Sequence, residues 1–551
     1  MEKKFSILIG GEAGQGIAKT SLYISKALTH LGYYVFVYRD YPSLIRGGHN
    51  FDVVTVSNKP VYSQENKYDL IIAFNQDTIN KHQRFLKKNG LILGDKNLRS
   101  KNLVGLDISD ILKKIKAPAK IIGNNILVGY FFKFYSLPLN PLLKAAEKIL
   151  GKEKIVKTAL KEGYQTTKSV KKFLKPSPIK KKYFLSGSEA VGSGAIASGL
   201  DVYIAYPITP ATPVLHFLAK RQIKNKFLVL QLENEIGVAN AALGASFGGA
   251  MTMIGTSGAG LSLMSEAMSM EGMSEIPLVV YLSQRTGPAT GIPTYSSQGD
   301  LKLVLNIGHG EFPRIVIAPG DPKETFQRTI EAFYLSYKYR LLSFLLLDKH
   351  LSESYFTFDS LSKAKVKPQR FILKNPPQDY KSYQVTKNGV SSRAVPDQGP
   401  IVRATSYEHN NYGYTIEDEK WAVIMNNKRF SKLTYLRREI NKLKPISVYG
   451  KGKNLIIGWG STKGAILDAL ENFSNCRFLQ ISYISPFPSE QVKKEIEKSS
   501  KVILVENNAT GLMGDVIAEQ TGKIVKNKVL KYNSRPFTSD DIIEGVKKFL
   551  Q

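Results

Sequence analysis

The sequence predicts an α/β protein made of three successive α/β domains. Three observations indicate this: short apolar runs end in glycine- or proline-rich turns, helical patterns separate them, and two polar segments interrupt the alternation. The chain has 551 residues, enough for three or four domains, and 43% of them are hydrophobic. We therefore expect domains at 1–175, 183–400 and 440–551.

The first domain opens with an apolar strand, a glycine-rich turn, a helix and a second strand, in the segment FSILIGGEAGQGIAKTSLYISKALTHLGYYVFVYRD. Two further apolar runs, YDLIIAF and GLILGD, continue the alternation of strand and helix. This pattern predicts a parallel, doubly wound sheet. Helical patterns from Pro141 to about Lys172 end the domain, and the lysine- and proline-rich stretch Lys168–Phe184 reads as a linker.

The glycine turn of this domain, Gly10–Ser21, does not match a nucleotide-binding motif. A phosphate-binding loop needs lysine where Ile17 stands, and the glycines at 11, 14 and 16 do not have the GxGxxG spacing. The backbone N–H groups at the start of the following helix can still receive an anionic group. A packing turn without a ligand is the alternative.

The second and third domains show the same alternation of strands and helices. Strands are predicted at DVYIAY, FLVLQL, AMTMIGTS, LVVYLS, RIVIAP and LSFLLLD, and then at NLIIGWGS, RFLQIS and KVILVEN. A polar, proline-containing stretch at about 352–400 reads as a long crossing segment. The pattern KWAVIMNNKRFSKLTYLRREINKLK predicts a helix before the third domain.

One predicted strand ends in an unusual segment, YPITPATP, with Pro207, Pro210 and Pro213. Proline fixes φ and lacks an N–H group, so we expect neither helix nor strand there. Such a turn is rigid before any ligand binds, which lowers the ordering cost of binding. We expect Thr209 and Thr212 to present hydroxyls to a polar small molecule.

Two charged residues follow the ends of neighbouring predicted strands. Glu235 opens a helix after FLVLQL, and Arg285 lies in the loop after LVVYLS. Ligands of open α/β sheets bind outside the carboxyl ends of the strands. A hydroxyl, a carboxylate and a guanidinium at this edge predict a functional site, although a carboxylate in this position is often only a helix cap.

Composition excludes several classes of site and partner. The single cysteine, Cys476, excludes an internal disulfide and an iron–sulfur cluster held by this chain alone. The seven histidines lack metal-binding spacing, so no metal site is expected. No apolar run is long enough to span a membrane and the N-terminus lacks a cleavage signal, which favours a cytoplasmic location. The net charge of +31 is spread widely, so we expect no nucleic-acid partner.

In several long motifs the chain resembles the α subunit of 2-oxoacid:ferredoxin oxidoreductases with a γ domain fused ahead of it. Departures are small: Glu12 and Ala13 stand where glycine is frequent, and Ala211 where serine is common. The matching motifs span most of the chain and are GGEAGQGI, RGGHN, AYPITPATP, LENEIGVANAALGAS, TSGAGLSLMSEA, QRTGPATGIPTYSSQGDL, GHGEFPRIVIAPGD, EHNNYGYTIED, GWGSTKGAI, SPFPSEQV and VENNATGLMGDV. The resemblance implies a Rossmann-like γ domain, a thiamine diphosphate-binding domain of the pyrimidine type and a transketolase C-terminal-like domain.

The resemblance also implies roles for the candidate residues. Glu235, rather than Glu233, looks like the carboxylate that bonds N1′ of the thiamine diphosphate aminopyrimidine. Arg285 resembles the residue that receives the 2-oxoacid carboxylate, and Thr209 the threonine beside the reacting carbonyl. The other residues implied to line the site are Tyr206, Pro207 and Gly258 for the cofactor and Thr212 for the substrate.

The family oxidatively decarboxylates a 2-oxoacid, forms an acyl-coenzyme A and passes electrons to ferredoxin. Thiamine enzymes also need a Gly-Asp-Gly motif and a later Asn to hold Mg²⁺ on the pyrophosphate, and this chain has no such pair. The resemblance assigns that half-site, the Mg²⁺ and a [4Fe-4S] cluster to a separate β subunit. We favour 2-oxoglutarate as substrate, with pyruvate or a branched-chain 2-oxoacid as alternatives. For the anionic end of coenzyme A, the basic γ-like domain and the turn from Gly11 to Gly16 are the two candidate contacts. A non-catalytic nucleic-acid- or partner-binding protein on the same fold is the rival hypothesis.

Overall fold

The computed structural model describes residues 4–44, 47–117, 120–179, 182–361 and 364–550. Over these ranges the chain forms three β-sheets with helices packed on them, so the predicted α/β class is confirmed. Five residues of quoted segments, Arg46, Lys180, Lys181, Ser362 and Lys363, lie outside the described part. Two compact units result, the first from Met1–Leu185, Ser354–Leu361 and Thr538–Asp541, the second from Ser186–Glu353, Ser362–Phe537 and Ile542–Gln551. The three predicted domain boundaries stay a prediction.

The strands are short and mostly buried. They are β1 (Phe5–Glu12), β2 (Tyr34–Asp40), β3 (His49–Ser57), β4 (Tyr68–Ala73), β5 (Leu86–Asp95), β6 (Leu103–Leu106), β7 (Tyr183–Ser186), β8 (Val202–Ala205), β9 (Leu228–Gln231), β10 (Thr252–Thr256), β11 (Leu278–Gln284), β12 (Ile315–Ile317), β13 (Leu342–Asp348), β14 (Tyr355–Phe358), β15 (Ile446–Gly450), β16 (Asn454–Trp459), β17 (Cys476–Ile481), β18 (Tyr483–Ser485), β19 (Lys501–Glu506) and β20 (Asn527–Leu530).

Most helices lie between strands that are consecutive in the sequence. They are α1 (Ile17–His30), α2 (Gln76–His82), α3 (Ile108–Lys114), α4 (Lys120–Phe134), α5 (Leu139–Leu150), α6 (Lys154–Gln165), α7 (Gly187–Ala197), α8 (Thr212–Ala219), α9 (Gln222–Asn225), α10 (Glu235–Phe247), α11 (Gly258–Leu263), α12 (Ser265–Ser274), α13 (Leu301–Asn306), α14 (Pro322–Tyr339), α15 (Lys349–Glu353), α16 (Glu419–Lys442), α17 (Thr462–Leu470), α18 (Ser489–Glu497), α19 (Leu512–Thr521) and α20 (Ser539–Leu550), with a 3₁₀ turn at Gln83–Phe85.

The first sheet is mixed, with the order β6-β5-β4-β1-β3-β2-β14-β7. Strand β3 lies between β1 and β2 and runs antiparallel to both. The prediction of a wholly parallel sheet is therefore wrong here, because β2 returns directly through β3 instead of pairing with β1. Parallel pairing is found on the other side of β1, through β4, β5 and β6.

The second sheet has the order β18-β12-β13-β11-β10-β8-β9. Strands β9, β8, β10, β11, β13 and β12 are parallel, as the alternation of strand and helix predicts. At its edge, β18 pairs antiparallel with β12, although it follows β17 of the third sheet. The third sheet has the order β15-β17-β16-β19-β20, with β15 antiparallel to β17 and the others parallel.

The second and third sheets share one hydrophobic core. Buried side chains of both, such as Leu282 and Leu346 of the second and Trp459 and Leu504 of the third, belong to one contiguous cluster. Burial of this kind stabilises a fold by about 25 cal/mol per Å² of apolar surface. The end of the second sheet thus has a fixed position relative to the third.

Pro213 lies within the first turn of α8, which begins at Thr212. The expectation that all three prolines of YPITPATP stay outside a helix is therefore wrong for Pro213. Proline is tolerated at the first helical positions because its missing N–H group has no partner there in any case.

The predicted helix before the third sheet is α16, and it is held by buried ion pairs. Lys428 and Lys432, both fully buried, lie 2.6 and 2.5 Å from the two carboxylate oxygens of Glu275 at the end of α12. These cations hold the pKa of Glu275 far below its usual range against the opposing effect of burial. One turn earlier, Glu271 is buried, and neither of its oxygens has a hydrogen bond within the described ranges. Burial raises its pKa well above the usual value.

Candidate active site

The candidate site lies at the carboxyl edge of the second sheet. The strands β9, β8, β10 and β11 are adjacent and parallel, so the segments that follow them emerge at the same edge. These segments hold the predicted site residues: Tyr206, Pro207 and Thr209 after β8, Glu235 after β9, Gly258 after β10 and Arg285 after β11.

Thr209 and Arg285 are in direct contact. The Arg285 Nη1 donates a hydrogen bond of 2.7 Å to the backbone carbonyl of Thr209. Partial burial lowers the pKa of Arg285 from its ordinary value. No second hydrogen bond of this guanidinium is found among the residues described, so its other N–H groups are available to an anion. The contact fixes the direction of the fork, which matches a carboxylate.

Asp300 completes this part of the site, and the sequence prediction missed it. Its carboxylate lies so close to Gly258 that a Cβ atom there would be 2.5–2.6 Å from both oxygens. Burial raises the pKa of Asp300 to about 6, and the charge of Arg285 partly opposes the shift. The N–H of Asp300 donates to the Gln284 side chain at 3.0 Å. Gly258, Asp300 and Arg285 therefore belong to one cluster.

Glu235 is the first residue of α10 and only 7% exposed, whereas Glu233 is exposed. Asn234 caps the helix by accepting a hydrogen bond from the N–H of Gly237 at 2.8 Å. Glu235 is therefore not the side chain that caps α10. Within the described residues its carboxylate has no hydrogen bond, so it is free to accept one from a ligand.

Helix α11 packs against the Glu235 carboxylate through Gly260. A Cβ atom on Gly260 would lie 2.8 Å from Glu235 Oε1 and 2.2 Å from Thr256 Oγ1. Two residues earlier, Gly258 approaches Asp300 in the same way. The two glycines bring one turn of helix against two carboxylates, and the sequence GAG offered the only signal for this.

The remaining predicted residues lie around this cluster with fewer contacts. Tyr206 is 39% exposed, and Pro207 is half-buried beside it. Thr212 is the first residue of α8 and half-buried. In the part of the chain described, no hydrogen bond joins its hydroxyl to Arg285 or Glu235, so its predicted substrate role stays a prediction.

In the first unit, the glycine turn lies beside a separate cavity. Gly14 and Gly16 have φ of 91° and 79°, a left-handed conformation that glycine adopts readily, and Gly16 precedes the first residue of α1. A cavity of about 240 Å³ lies at this end of the helix. Its lining is mixed: Lys19, Glu153 and several uncharged polar side chains, among them Asn124, lie beside apolar ones such as Leu150.

The described residues offer neither a cluster of metal ligands nor a membrane-spanning helix. No group of three or more His, Cys, Asp or Glu side chains able to hold a metal ion is found among them. Nor does any described helix combine the length and apolar character required to cross a bilayer. Cys476, which is buried in β17, is reduced.

Comparison with known proteins gives one consistent answer. The family model for the thiamine diphosphate-binding domain of pyruvate flavodoxin/ferredoxin oxidoreductases matches residues 193–428, and a pyruvate ferredoxin/flavodoxin oxidoreductase model matches residues 6–166. A 2-oxoacid:ferredoxin oxidoreductase α subunit from Sulfolobus sp is 32% identical over all of this chain and 97% of its own length. The chain belongs to this family of α subunits.

Other members of the oxidoreductase family are similar in sequence or fold. A 2-oxoglutarate synthase subunit KorA from Methanocaldococcus jannaschii is 32% identical over 59% of this chain and 88% of its own. The solved structure of 2-oxoglutarate:ferredoxin oxidoreductase from Magnetococcus marinus, with 2-oxoglutarate, coenzyme A and succinyl-CoA bound, is 28% identical. It covers all of both chains with a TM-score of 0.91, so the whole fold of this α subunit is shared.

The residues at the sheet edge fit the aminopyrimidine part of thiamine diphosphate. A buried carboxylate without a protein partner suits a ring nitrogen that carries a proton. The glycines at 258 and 260 leave this wall without side chains that would cover the carboxylate. The family assignment and the local chemistry therefore agree on the kind of ligand.

Proposed function

We propose that this chain is the α subunit of an enzyme that oxidatively decarboxylates a 2-oxoacid to an acyl-coenzyme A and CO₂ and passes the electrons to ferredoxin. The observation that supports this most is the meeting of the Thr209–Arg285 pair, the Gly258–Asp300 contact and the buried Glu235 at one sheet edge. Family membership gives the reaction class, and this cluster supports the proposal that the reaction takes place at this sheet edge.

Thiamine diphosphate, when bound, supplies a nucleophilic carbon for the substrate carbonyl and accepts the electron pair left by the departing CO₂. Glu235 holds the aminopyrimidine by a charge-assisted hydrogen bond at its ring nitrogen. Arg285 binds the substrate carboxylate with the N–H groups that Thr209 leaves unused. Hydrogen bonds of this charged type contribute about 1.5–3 kcal/mol each. The Thr209 hydroxyl lies on the same turn and orients the carbonyl.

We favour 2-oxoglutarate as the substrate. A relative whose whole chain matches this one has 2-oxoglutarate, coenzyme A and succinyl-CoA bound, and several relatives that match part of this chain are 2-oxoglutarate synthase subunits. Pyruvate and branched-chain 2-oxoacids share the reacting group and are the alternatives. The glycine turn and Lys19 of the first unit are the contact we favour for the phosphates of coenzyme A.

A separate β subunit is proposed to complete the enzyme. This chain has no Gly-Asp-Gly motif with a later Asn, so the pyrophosphate, its Mg²⁺ and a [4Fe-4S] cluster are assigned to the partner. Four large apolar side chains are exposed in the segments that surround the site: Tyr206, Ile236, Leu263 and Ile292. Surfaces of this kind are typical of protein interfaces. We assign them to β-subunit contact in a cytoplasmic complex.

The experiment is an assay of the purified α–β complex with a panel of 2-oxoacids, coenzyme A and a viologen dye. Glu235→Gln should abolish oxidation of every 2-oxoacid, whereas Glu233→Gln, which changes an exposed carboxylate two residues away, should retain activity. Arg285→Ala should raise the KM for the 2-oxoacid far more than it weakens thiamine diphosphate binding. Full activity of Glu235→Gln would refute the assignment of that residue.

A further inference from the structure

The loop that bears Arg285 is held at its base by the third sheet. We call residues 285–300 the Arg285 loop. Its tip, residues 287–292, is exposed, while Thr294, Ser296 and Gln298 near its end are buried. A loop with an exposed tip holds one conformation only if its base is fixed. The contacts of the base therefore decide where Arg285 lies.

Gln298 supplies most of these contacts, and it is fully buried. Its backbone N–H donates to the carbonyl of Asn507 at 2.8 Å, and the N–H of Asn507 donates to its Oε1 at 2.9 Å. Its Nε2 donates to the carbonyl of Trp459 at 2.9 Å, and the Asn508 side chain donates to its carbonyl at 3.1 Å. Every polar group of Gln298 is thus bonded to the third sheet.

The part of the third sheet that contacts Gln298 is itself held by hydrogen bonds. Glu506, the last residue of β19, accepts hydrogen bonds from Trp459 Nε1 at 2.8 Å and from the Asn508 side chain at 3.1 Å. The Asn508 Oδ1 accepts from the N–H of Gly511 at 2.8 Å. Trp459 and Glu506 are both fully buried. Asn507 in the same region donates through Nδ2 to the carbonyls of Lys531 and Arg535 at 2.7 and 3.1 Å, while its Oδ1 has no hydrogen bond among the described residues. A network in which most members are bonded in this way favours one arrangement.

A second contact lies three residues from Gln298. The Arg535 guanidinium stacks on the Tyr295 ring at 3.6 Å from its centre. On the other side, the loop ends at Asp300, whose N–H bonds to Gln284 immediately before Arg285. The third sheet thus contacts the loop between Arg285 and the half-buried Asp300.

We propose that Gln298 is a positioning residue through which the third sheet sets the place of Arg285 for the 2-oxoacid. This rests on the proposed function, because it concerns the substrate that Arg285 binds. The third sheet, which bears none of the predicted site residues, thereby takes part in substrate recognition. Misplacement of a binding group by about 1 Å lowers enzyme efficiency by up to 100-fold.

The test is kinetic, on the α–β complex. Gln298→Ala should raise the KM for the 2-oxoacid about 10-fold or more while kcat and thiamine diphosphate binding stay within about threefold. Gln298→Asn, which keeps both amide groups on a side chain one methylene shorter, should give a smaller rise in KM. Gln480→Ala is the control, since Gln480 is a fully buried glutamine of the same sheet that bonds to Glu324 and Tyr449 and not to the loop.

A double-mutant cycle separates positioning from general loss of stability. In an Arg285→Ala background, Gln298→Ala should change KM less than twofold, because the residue it positions is gone. An unchanged KM in Gln298→Ala, an equal effect in both backgrounds, or an equal rise in Gln480→Ala would overturn the proposal. Amide hydrogen exchange of residues 285–300, faster in Gln298→Ala, tests the anchoring independently of turnover. Exchange equal to wild type would also refute it, whereas an inactive wild-type complex would refute the proposed function alone.

Discussion

Replacing Gly260 by alanine tests the close packing of α11 against the Glu235 carboxylate. The added Cβ would lie 2.2 Å from Thr256 Oγ1 and 2.8 Å from Glu235 Oε1, both closer than non-bonded atoms allow. Thr256 is fully buried at the end of a central strand, so it has little freedom to move. The Glu235 side chain or the start of α11 must therefore shift, by about 1 Å, to relieve the contact.

Two consequences of Gly260→Ala can be given magnitudes. Overpacking of this kind costs about 1–3 kcal/mol of folding free energy. Displacement of Glu235 from the cofactor nitrogen should weaken thiamine diphosphate binding by about 1.4 kcal/mol or more, which is a factor of ten in Kd. Substrate oxidation should fall by at least the same factor at limiting cofactor.

The assay is a titration of the α–β complex with thiamine diphosphate and Mg²⁺, followed by calorimetry and by viologen reduction. Gly248→Ala is the matched control, because Gly248 has φ of −67° and its Cβ would meet only ordinary contacts of 3.5 and 3.6 Å. It should bind the cofactor as the wild type does. Wild-type affinity in Gly260→Ala would refute the argument that this glycine is required by the carboxylate.

Two further predictions concern buried acids. The pKa of Asp300 is about 6 in the folded chain and about 3.9 in an unfolded one, so the folded state keeps a proton that the unfolded state releases between these values. The free energy of unfolding should fall by roughly 2–3 kcal/mol from pH 4 to 6 through this group. Asp300→Asn should remove that fall, which urea titrations of both proteins at pH 4.5 and 7 would measure. An equal change of unfolding free energy with pH in wild type and variant would contradict the prediction. Glu271→Gln should change the free energy of unfolding by less than about 1.5 kcal/mol, because burial favours the neutral form of the carboxyl and glutamine has nearly the same volume. Glu275→Gln removes the carboxylate from two buried lysines, of which Lys432 keeps its bond to the carbonyl of Arg340, and should cost about 3–5 kcal/mol. Chemical denaturation compares the two, and equal losses would show that Glu271 is charged.

The α/β architecture was predictable because its parallel strands are continuous apolar runs separated by helical patterns. All six strands predicted for the second domain, from β8 to β13, and all three predicted for the third are present. Parallel sheets bury both faces of each strand, which makes such runs distinct in sequence. The long helix α16 was equally clear from its periodicity.

Seven strands in the described part of the chain were not predicted, namely β3, β6, β7, β14, β15, β18 and β20. Three of them illustrate the physical reasons. Strand β3 follows β2 without a helical pattern between them. The prediction relied on strands that alternate with helices, so it did not include an antiparallel strand that directly follows another. Strands β14 and β18 have four and three residues, and each pairs with a sheet built mainly from distant sequence. Pairing over such separations depends on tertiary packing, which local patterns do not encode.

The sequence indicated which strand ends form the candidate site, but it did not indicate every residue that contributes to the site. Thr209 and Arg285 were predicted at one edge, and they are in contact. Asp300 and Gln298 were missed, although both lie in a quoted motif, because their partners are 16 and more than 160 residues away. Their importance comes from burial and hydrogen bonding, which only the folded chain reveals. The chemical roles of the site residues stay predictions.

Strand β18 has a practical consequence for anyone who wishes to dissect this polypeptide. Its three residues come from the carboxyl-terminal region of the chain but form the edge of the second sheet, where Val316 pairs with Ser485. A recombinant fragment that ends near residue 440 would lack β18 and leave β12 as an exposed edge strand. The backbone N–H and C=O groups of such a strand lack hydrogen-bond partners, which promotes aggregation. Limited proteolysis and fragment expression should therefore recover residues 186–551 as one stable fragment, which keeps the buried Ile542 and Val546 of α20 in the core of the third sheet.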